Sequence, residues 1–360
     1  MSEGPVHQGT ATPVAPVLRA LPKADLHLHL DGALRPQTYV ELARALPSGD
    51  GLTLEEAERA ITVGPGVRSL AEFLTRFPVI NRVTQTEAAL RRITREALED
   101  AHRSGVRYAE LRAAPWLHTE GGLTLEQVVE AILQGIQEAG RQWPILARLI
   151  LVVMRGRPEE ENRQVVELAA RYRDHGVAGV DLAGDETAYP PELYVPIFRR
   201  ARDAGLAVTI HAGEAAGPEA VWVAVRELGA WRIGHGTRAV EDPALLDHLR
   251  EHRIWIESCL TSNLQTGAVR RLQDHPFGRF LAEGVPVTLN SDDPGVSRIE
   301  LAGEWSLAAG VFELDFDRLA RLALNGVEAA FVPETTRAML RAEFENRIEQ
   351  LHPRQGASGS

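Results

Sequence analysis

Eight short β-rich runs alternate along this chain with segments of helical periodicity, and that rhythm constrains the fold more than any other feature. The runs are ADLHLH from Ala24, VRYAELRA from Val106, ILARLILVV from Ile145, GVDLA from Gly179, AVTIHA from Ala207, RIGH from Arg232, RIWIES from Arg253 and VPVTLN from Val285. Each is followed by polar or Gly-containing sequence, as strand ends are. Thr124 and Gln127 form a capping-box signature ahead of Val128, Val129, Ile132 and Ile136, which share one helical face, and Gly140 ends the run. Thr84 with Glu87 predicts the same start for a helix stopped by Gly105. Pro158 opens a helix that stops at Gly176, and Asp242-Pro243 starts another. Strictly alternating strands and helices imply parallel pairing with right-handed crossovers. Eight repeats close into an α/β (β/α)8 TIM barrel.

Two additions break the rhythm. About fifty residues separate Asp31 from Thr84, too many for a plain βα loop, with helix starts at Thr53/Glu56 and Ser69/Glu72. A helical insertion after strand 1 would cover the barrel mouth as a lid. Beyond the eighth run, Leu319 to Leu351 reads as extra C-terminal helices. Residues 1–16 and 353–360 lack periodic apolar content and are expected to be disordered tails, which leaves 17–352 as a single domain.

Composition narrows the function classes. A formal charge of -11 disfavours nucleic acid as a partner, because phosphate-backbone binding rests on Lys and Arg clusters. The lone cysteine, Cys259, excludes a disulfide framework and any C-x-x-C zinc site, and it reads as a small buried filler rather than a nucleophile. No signal-peptide pattern or membrane-length apolar stretch occurs, so a cytoplasmic protein without a membrane partner is expected. Oligomeric state leaves no mark in this sequence.

The residues with chemistry sit at strand ends. In LHLHLDG the period of two places Leu26, Leu28 and Leu30 on the outer face and points His27 and His29 inward together. By itself H-x-H fits either a metal site or a structural pair. His211 in TIHAGE is a third candidate ligand, and Glu214 supplies a carboxylic acid three residues later, although a strand His followed by a helix-start Glu would look the same. His235 lies between two glycines that let a ligand approach the backbone, an arrangement equally compatible with a tight turn. Asp292 and Asp293 precede Pro294, a context that suits a solvated turn. A closed barrel changes that reading, because strand eight ends beside strand one. Three histidines and one aspartate then make a ligand set suited to Zn(II) rather than magnesium or calcium, with room for a water.

Taken in order, PKADLHLHLDGA from Pro22, VDLAGDE from Val180, HAGE from His211, GHG from Gly234, TSNLQTG from Thr261 and SDDP from Ser291 resemble the adenosine deaminase family, from Pro22 to about Phe331. The resemblance implies a barrel with one zinc per chain that hydrolyses 6-aminopurine nucleosides to 6-oxopurines and ammonia. It implies that His27, His29, His211 and Asp292 hold the zinc. Asp31 and His29 would contact the ribose, the Gly184 backbone a purine ring nitrogen, and Asp293 the imidazole part of the purine. Glu214 would protonate N1, and His235 would orient the zinc-bound water and help deprotonate it. Zinc can lower the pKa of its water from about 15.7 to about 7, giving the hydroxide that attacks C6. Glu214 must then be a protonated acid, which burial beneath a lid favours. Asp293 must likewise be protonated to bond N7, an acceptor.

Adenosine and 2′-deoxyadenosine are the expected substrates. The alternative is 6-aminodeoxyfutalosine, an intermediate of menaquinone biosynthesis with a large 5′ substituent. Adenine is less favoured, since the L-S-N-x-K-L pattern of adenine-type relatives is absent. The chain also departs from many relatives in having CLTSN for CPTSN. A non-catalytic nucleoside-binding protein would need neither Glu214 nor His235.

Overall fold

The computed structural model describes residues 15–46, 51–64, 66–67 and 69–352. The expected tails lie outside these residues, apart from Ala15 and Pro16, and Pro16 opens a short helix, Pro16–Ala20. Eight parallel strands follow one another around a barrel in chain order. They are β1 Lys23–His29, β2 Val106–Ala113, β3 Leu146–Met154, β4 Val177–Ala183, β5 Ala207–Ala212, β6 Arg232–His235, β7 Trp255–Ser258 and β8 Val287–Leu289. The seventh run begins later than its sequence suggests, because Arg253 adopts a left-handed turn (φ 53°) ahead of Trp255.

Closure is narrow. The seam between β8 and β1 is bridged at Leu28 and Asp292, where the His29 N–H donates to the Asp292 carbonyl (2.8 Å) and the Asp292 N–H to the His27 carbonyl (2.7 Å). The same bonds that shut the barrel therefore hold His27, His29 and Asp292 together. The C-terminal helix Phe316–Ala329 packs over this seam against β1 and β8.

Capping chemistry sets the helix starts. Thr124 and Gln127 make a reciprocal capping box for Leu125–Gln142, and Thr53 with Glu56 makes another for Leu54–Ile61. Ser69 caps Leu70–Leu74, and Asp242 caps Pro243–Glu251. The start expected at Thr84 is displaced. Thr86 caps Glu87–Arg103, while the Thr84 hydroxyl is buried against Nδ1 of His118 (2.8 Å). The insertion after β1 is helical as expected, with Leu54–Ile61, Leu70–Leu74 and Phe77–Asn81. Among the described residues no helix is long and apolar enough to cross a membrane.

The barrel floor is charged. Arg112 on β2 donates to Asp181 on β4 (2.8 Å) and pairs with Glu257 on β7, while Arg232 on β6 pairs with Glu257 and with Glu110 on β2. All five side chains are fully buried. Buried charges persist only when paired, and removing one partner strands the others. Glu257→Ala leaves two guanidiniums short of a carboxylate and is expected to lower unfolding free energy by about 3–5 kcal/mol, read from denaturant midpoints. A loss under about 1 kcal/mol would contradict this description of the floor.

Candidate active site

Above that floor the predicted ligands converge. The Nε2 atoms of His27, His29 and His211 are 3.0 to 3.2 Å apart, and Oδ1 of Asp292 lies 3.1 Å from His27 and 3.4 Å from His29. On the far side of two rings, carboxylates accept hydrogen bonds from Nδ1–H. Glu257 faces His27 (2.9 Å) and Asp181 faces His211 (3.1 Å). With those protons on Nδ1, both Nε2 atoms present lone pairs to each other at 3.0 Å, an arrangement that is repulsive unless a cation lies between them. Tetrahedral ligands at about 2.0–2.1 Å from a metal stand roughly 3.3 Å apart, so the four side chains fit a small cation.

The titration pattern agrees. Burial pushes the His211 pKa down to about 4 and holds His29 well below its ordinary value, which keeps both imidazoles neutral as ligands must be. For His27, burial and Arg112 act in the same direction, yet Asp292 and Glu257 outweigh them and raise it, marking the place where positive charge is most wanted. Burial would also raise Asp181 and Glu257, but His211 and Arg112 hold the first, and Arg112 and Arg232 the second, well below the carboxylate range. Both therefore remain ionised behind His211 and His27.

Glu214 and His235 sit beside this cluster. Glu214 follows β5 in a loop fastened by Glu186, whose carboxylate accepts the backbone N–H groups of Gly213 (2.7 Å), Glu214 (3.2 Å), Ala215 (2.9 Å) and Ala216 (3.0 Å). Arg155 braces the same strand end by donating to the His211 carbonyl (2.7 Å) and, across the β4 loop, to the Tyr189 carbonyl (2.6 Å). Oε1 of Glu214 accepts from Asn263 (3.1 Å) and Thr266 (2.8 Å), and Oε2 lies 3.6 Å from Nε2 of His235. Burial raises the Glu214 pKa against the opposing pull of His235. His235 itself takes a left-handed backbone conformation (φ 65°) that turns its ring toward the histidine cluster, 4.9 Å from His27 and 5.1 Å from His211 between ring centres.

Asp31, Asp293 and His29 form a second group, with polar atoms within 4.8 Å of one another. Burial, with Asp292, Asp31 and Glu214 nearby, drives Asp293 well above the carboxylate range, and its Oδ1 is buried without a hydrogen-bond partner. Burial likewise raises Asp31 to about 6. Gly184 ends β4 at φ 112°, exposing backbone where a side chain would be strained. All these residues border one cavity of about 490 Å³, roofed by Leu70, Phe73, Leu74 and Phe77 of the insertion helices. The expected lid is thus in place over the mouth. Gly32 faces the Asp293 carboxyl so closely that a Cβ there would fall 1.7 Å from Oδ1. Gly32→Ala must push Asp293 aside, and kcat/KM is expected to fall by about 10²-fold with His27, His29, His211 and Asp292 intact; an unchanged kcat/KM would argue against a role for Asp293.

Residues 22–347 match the family model described as adenosine deaminase. Adenosine deaminase from Klebsiella pneumoniae (strain 342) is 42% identical over 326 residues, covering 89% of this chain and 97% of that protein. The chain belongs to the adenosine deaminase family. Adenine deaminase from Arthrobacter aurescens superposes with a TM-score of 0.82 at 29% identity, covering 91% of this chain and 99% of that one. An amidohydrolase from Burkholderia ambifaria, solved with bound zinc, superposes at 0.85 with 28% identity and 95% coverage of each chain. This member of the adenosine deaminase family is accordingly a hydrolytic deaminase of adenosine-like purines.

Several residues that build its site carried no assigned role in the sequence reading. Asp181 and Glu186 lie inside VDLAGDE, and Asn263 and Thr266 inside TSNLQTG, motifs whose individual side chains were not distinguished. Glu257 and Arg112 gave a different signal, a charge on the inward phase of a strand.

Proposed function

We propose that this chain is a zinc-dependent adenosine deaminase, converting adenosine and 2′-deoxyadenosine to inosine and deoxyinosine with release of ammonia. The observation that carries the reading is the convergence of His27, His29, His211 and Asp292 beside one cavity that Glu214 and Asp293 border. The Asp293 carboxyl, held protonated by burial among other carboxylates, is a donor at that cavity, and N7 of a purine laid over the site is an acceptor for it.

The roles follow from what each group offers. His27, His29, His211 and Asp292 would hold one zinc, favoured by three nitrogen donors and one oxygen. Zinc bound there supplies an acidified water as nucleophile. Glu214, kept protonated by burial, gives its proton to N1 of the ring, so that C6 becomes electrophilic as the nucleophile approaches. Asp293 donates to N7, and the Gly184 backbone, freed from a side chain, lies against the other edge of the purine. Asp31 and His29 meet the ribose hydroxyls. His235 orients the water against the face of C6. The apolar roof of Phe73, Leu74 and Phe77 excludes bulk water, which strengthens each of these polar contacts.

The 42% identity to adenosine deaminases supports adenosine over the other 6-aminopurines. A side-by-side assay of adenosine, 2′-deoxyadenosine, adenine and 6-aminodeoxyfutalosine tests it. Efficiencies on the first two should agree within about 10-fold and exceed the others by at least about 10²-fold. Preference for adenine or for 6-aminodeoxyfutalosine would overturn the assignment.

A further inference from the structure

Behind the acid/base pair runs a hydrogen-bond chain whose direction is fixed at one end. The backbone N–H of Phe277 can only donate, and it points at Nδ1 of His275 (3.1 Å). That nitrogen is therefore an acceptor. Burial, helped by His235, drives the His275 pKa down to about 3, so the neutral ring has one proton and must carry it on Nε2. Nε2 faces Oδ1 of Asn263 (3.2 Å) and donates to it. The Asn263 amide is thereby oriented with both N–H bonds aimed the other way, one at Oε1 of Glu214 (3.1 Å) and one at Nδ1 of His235 (3.0 Å). His275 is buried and does not border the cavity, so it touches no part of a bound nucleoside.

We propose that His275 is a positioning residue, acting through Asn263 to decide which atoms of His235 and Glu214 carry protons. Because Nδ1 of His235 accepts from Asn263, its ring proton lies on Nε2, the nitrogen facing Glu214 and the histidine cluster, so the resting His235 orients a water as a donor and is not the base that the family resemblance implies. Because Asn263 and Thr266 fill Oε1 of Glu214, the acid proton lies on Oε2, 3.6 Å from that nitrogen. A flipped amide would offer its oxygen to both groups and reverse both assignments. The inference rests on the deaminase reading above for its functional meaning, but the proton positions are a property of the resting protein.

The direct test is nitrogen-15 spectroscopy of histidine-labelled, zinc-loaded protein, with the His235 signals identified by their loss in His235→Ala. A bare Nδ1 and a protonated Nε2 on His235 are expected; a protonated Nδ1 would overturn the proposal. His275→Asn keeps an acceptor for the Phe277 N–H but is too short to reach Asn263, so it separates capping from the relay. It should mix the two His235 tautomers and lower kcat by about 10-fold, with KM changed by less than about twofold. His275→Gln, which restores a donor of greater reach, should recover most of that loss. Wild-type tautomer and kcat in His275→Asn would leave His275 with a packing role only. If the variants fail to fold, the wild-type spectrum alone decides the matter. A wild-type protein inactive on every 6-aminopurine would instead defeat the deaminase reading, while leaving the tautomer result standing.

Discussion

Glu214→Gln is expected to lower turnover by at least about 10²-fold while leaving metal content and nucleoside affinity near those of the unchanged protein. Glutamine has the shape of the protonated acid. Its amide oxygen can still accept from Asn263 and Thr266, which bond Oε1 of Glu214 at 3.1 and 2.8 Å. Its nitrogen can still donate toward the cavity. What it cannot do is release a proton, so the substitution removes transfer and keeps binding. Because burial raises the Glu214 pKa, the acid form survives to higher pH than an exposed glutamate would, and activity should decline as pH climbs through that raised value. Steady-state kinetics with parallel metal analysis checks the result. Near-normal turnover would remove Glu214 from the proton-donor role.

His211→Ala is the second large effect. It deletes one of the three converging nitrogens and leaves Asp181, ionised and fully buried, without the imidazole that it faces at 3.1 Å. Losing an outer partner of a ligand typically weakens metal binding 10–100-fold, and losing the ligand itself should exceed the upper end, about 10² or more. The fold should persist, since Arg112 still pairs with Asp181 and Arg155 binds the backbone carbonyl of residue 211. Zinc titration against a competing chelator measures the change. Full zinc retention would show that His211 is not a ligand.

The sequence carried the barrel because its evidence is local and repeated. Period-two alternation in LHLHLDG put the histidines inside, and capping boxes at Thr124 and Thr53 marked helix starts that the structure keeps. The start assigned to Thr84 failed for a tertiary reason. A buried bond to His118 claims that hydroxyl, and Thr86, two residues on, is free to cap. The four residues proposed to hold the metal could be picked out because they sit at the ends of β1, β5 and β8, where barrel sites are built. The residues behind them were not. Glu257 reaches His27 across 230 positions of chain and Glu186 reaches the Glu214 loop across 27 to 30, separations at which no local pattern links two carboxylates to their partners. Their one trace is alternation. Tyr108, Glu110 and Arg112 share the inward phase of β2, and polar groups there demand buried partners.

The proposed mechanism requires four side chains remote in sequence to share one zinc at the mouth of this barrel. Anomalous diffraction at the zinc edge from crystals of the full chain tests it most directly. A single peak is expected within about 2.0–2.2 Å of Nε2 of His27, His29 and His211 and of a carboxylate oxygen of Asp292. A peak at another set of residues, or adenosine deamination undiminished in crystals and solution stripped of metal, would contradict it.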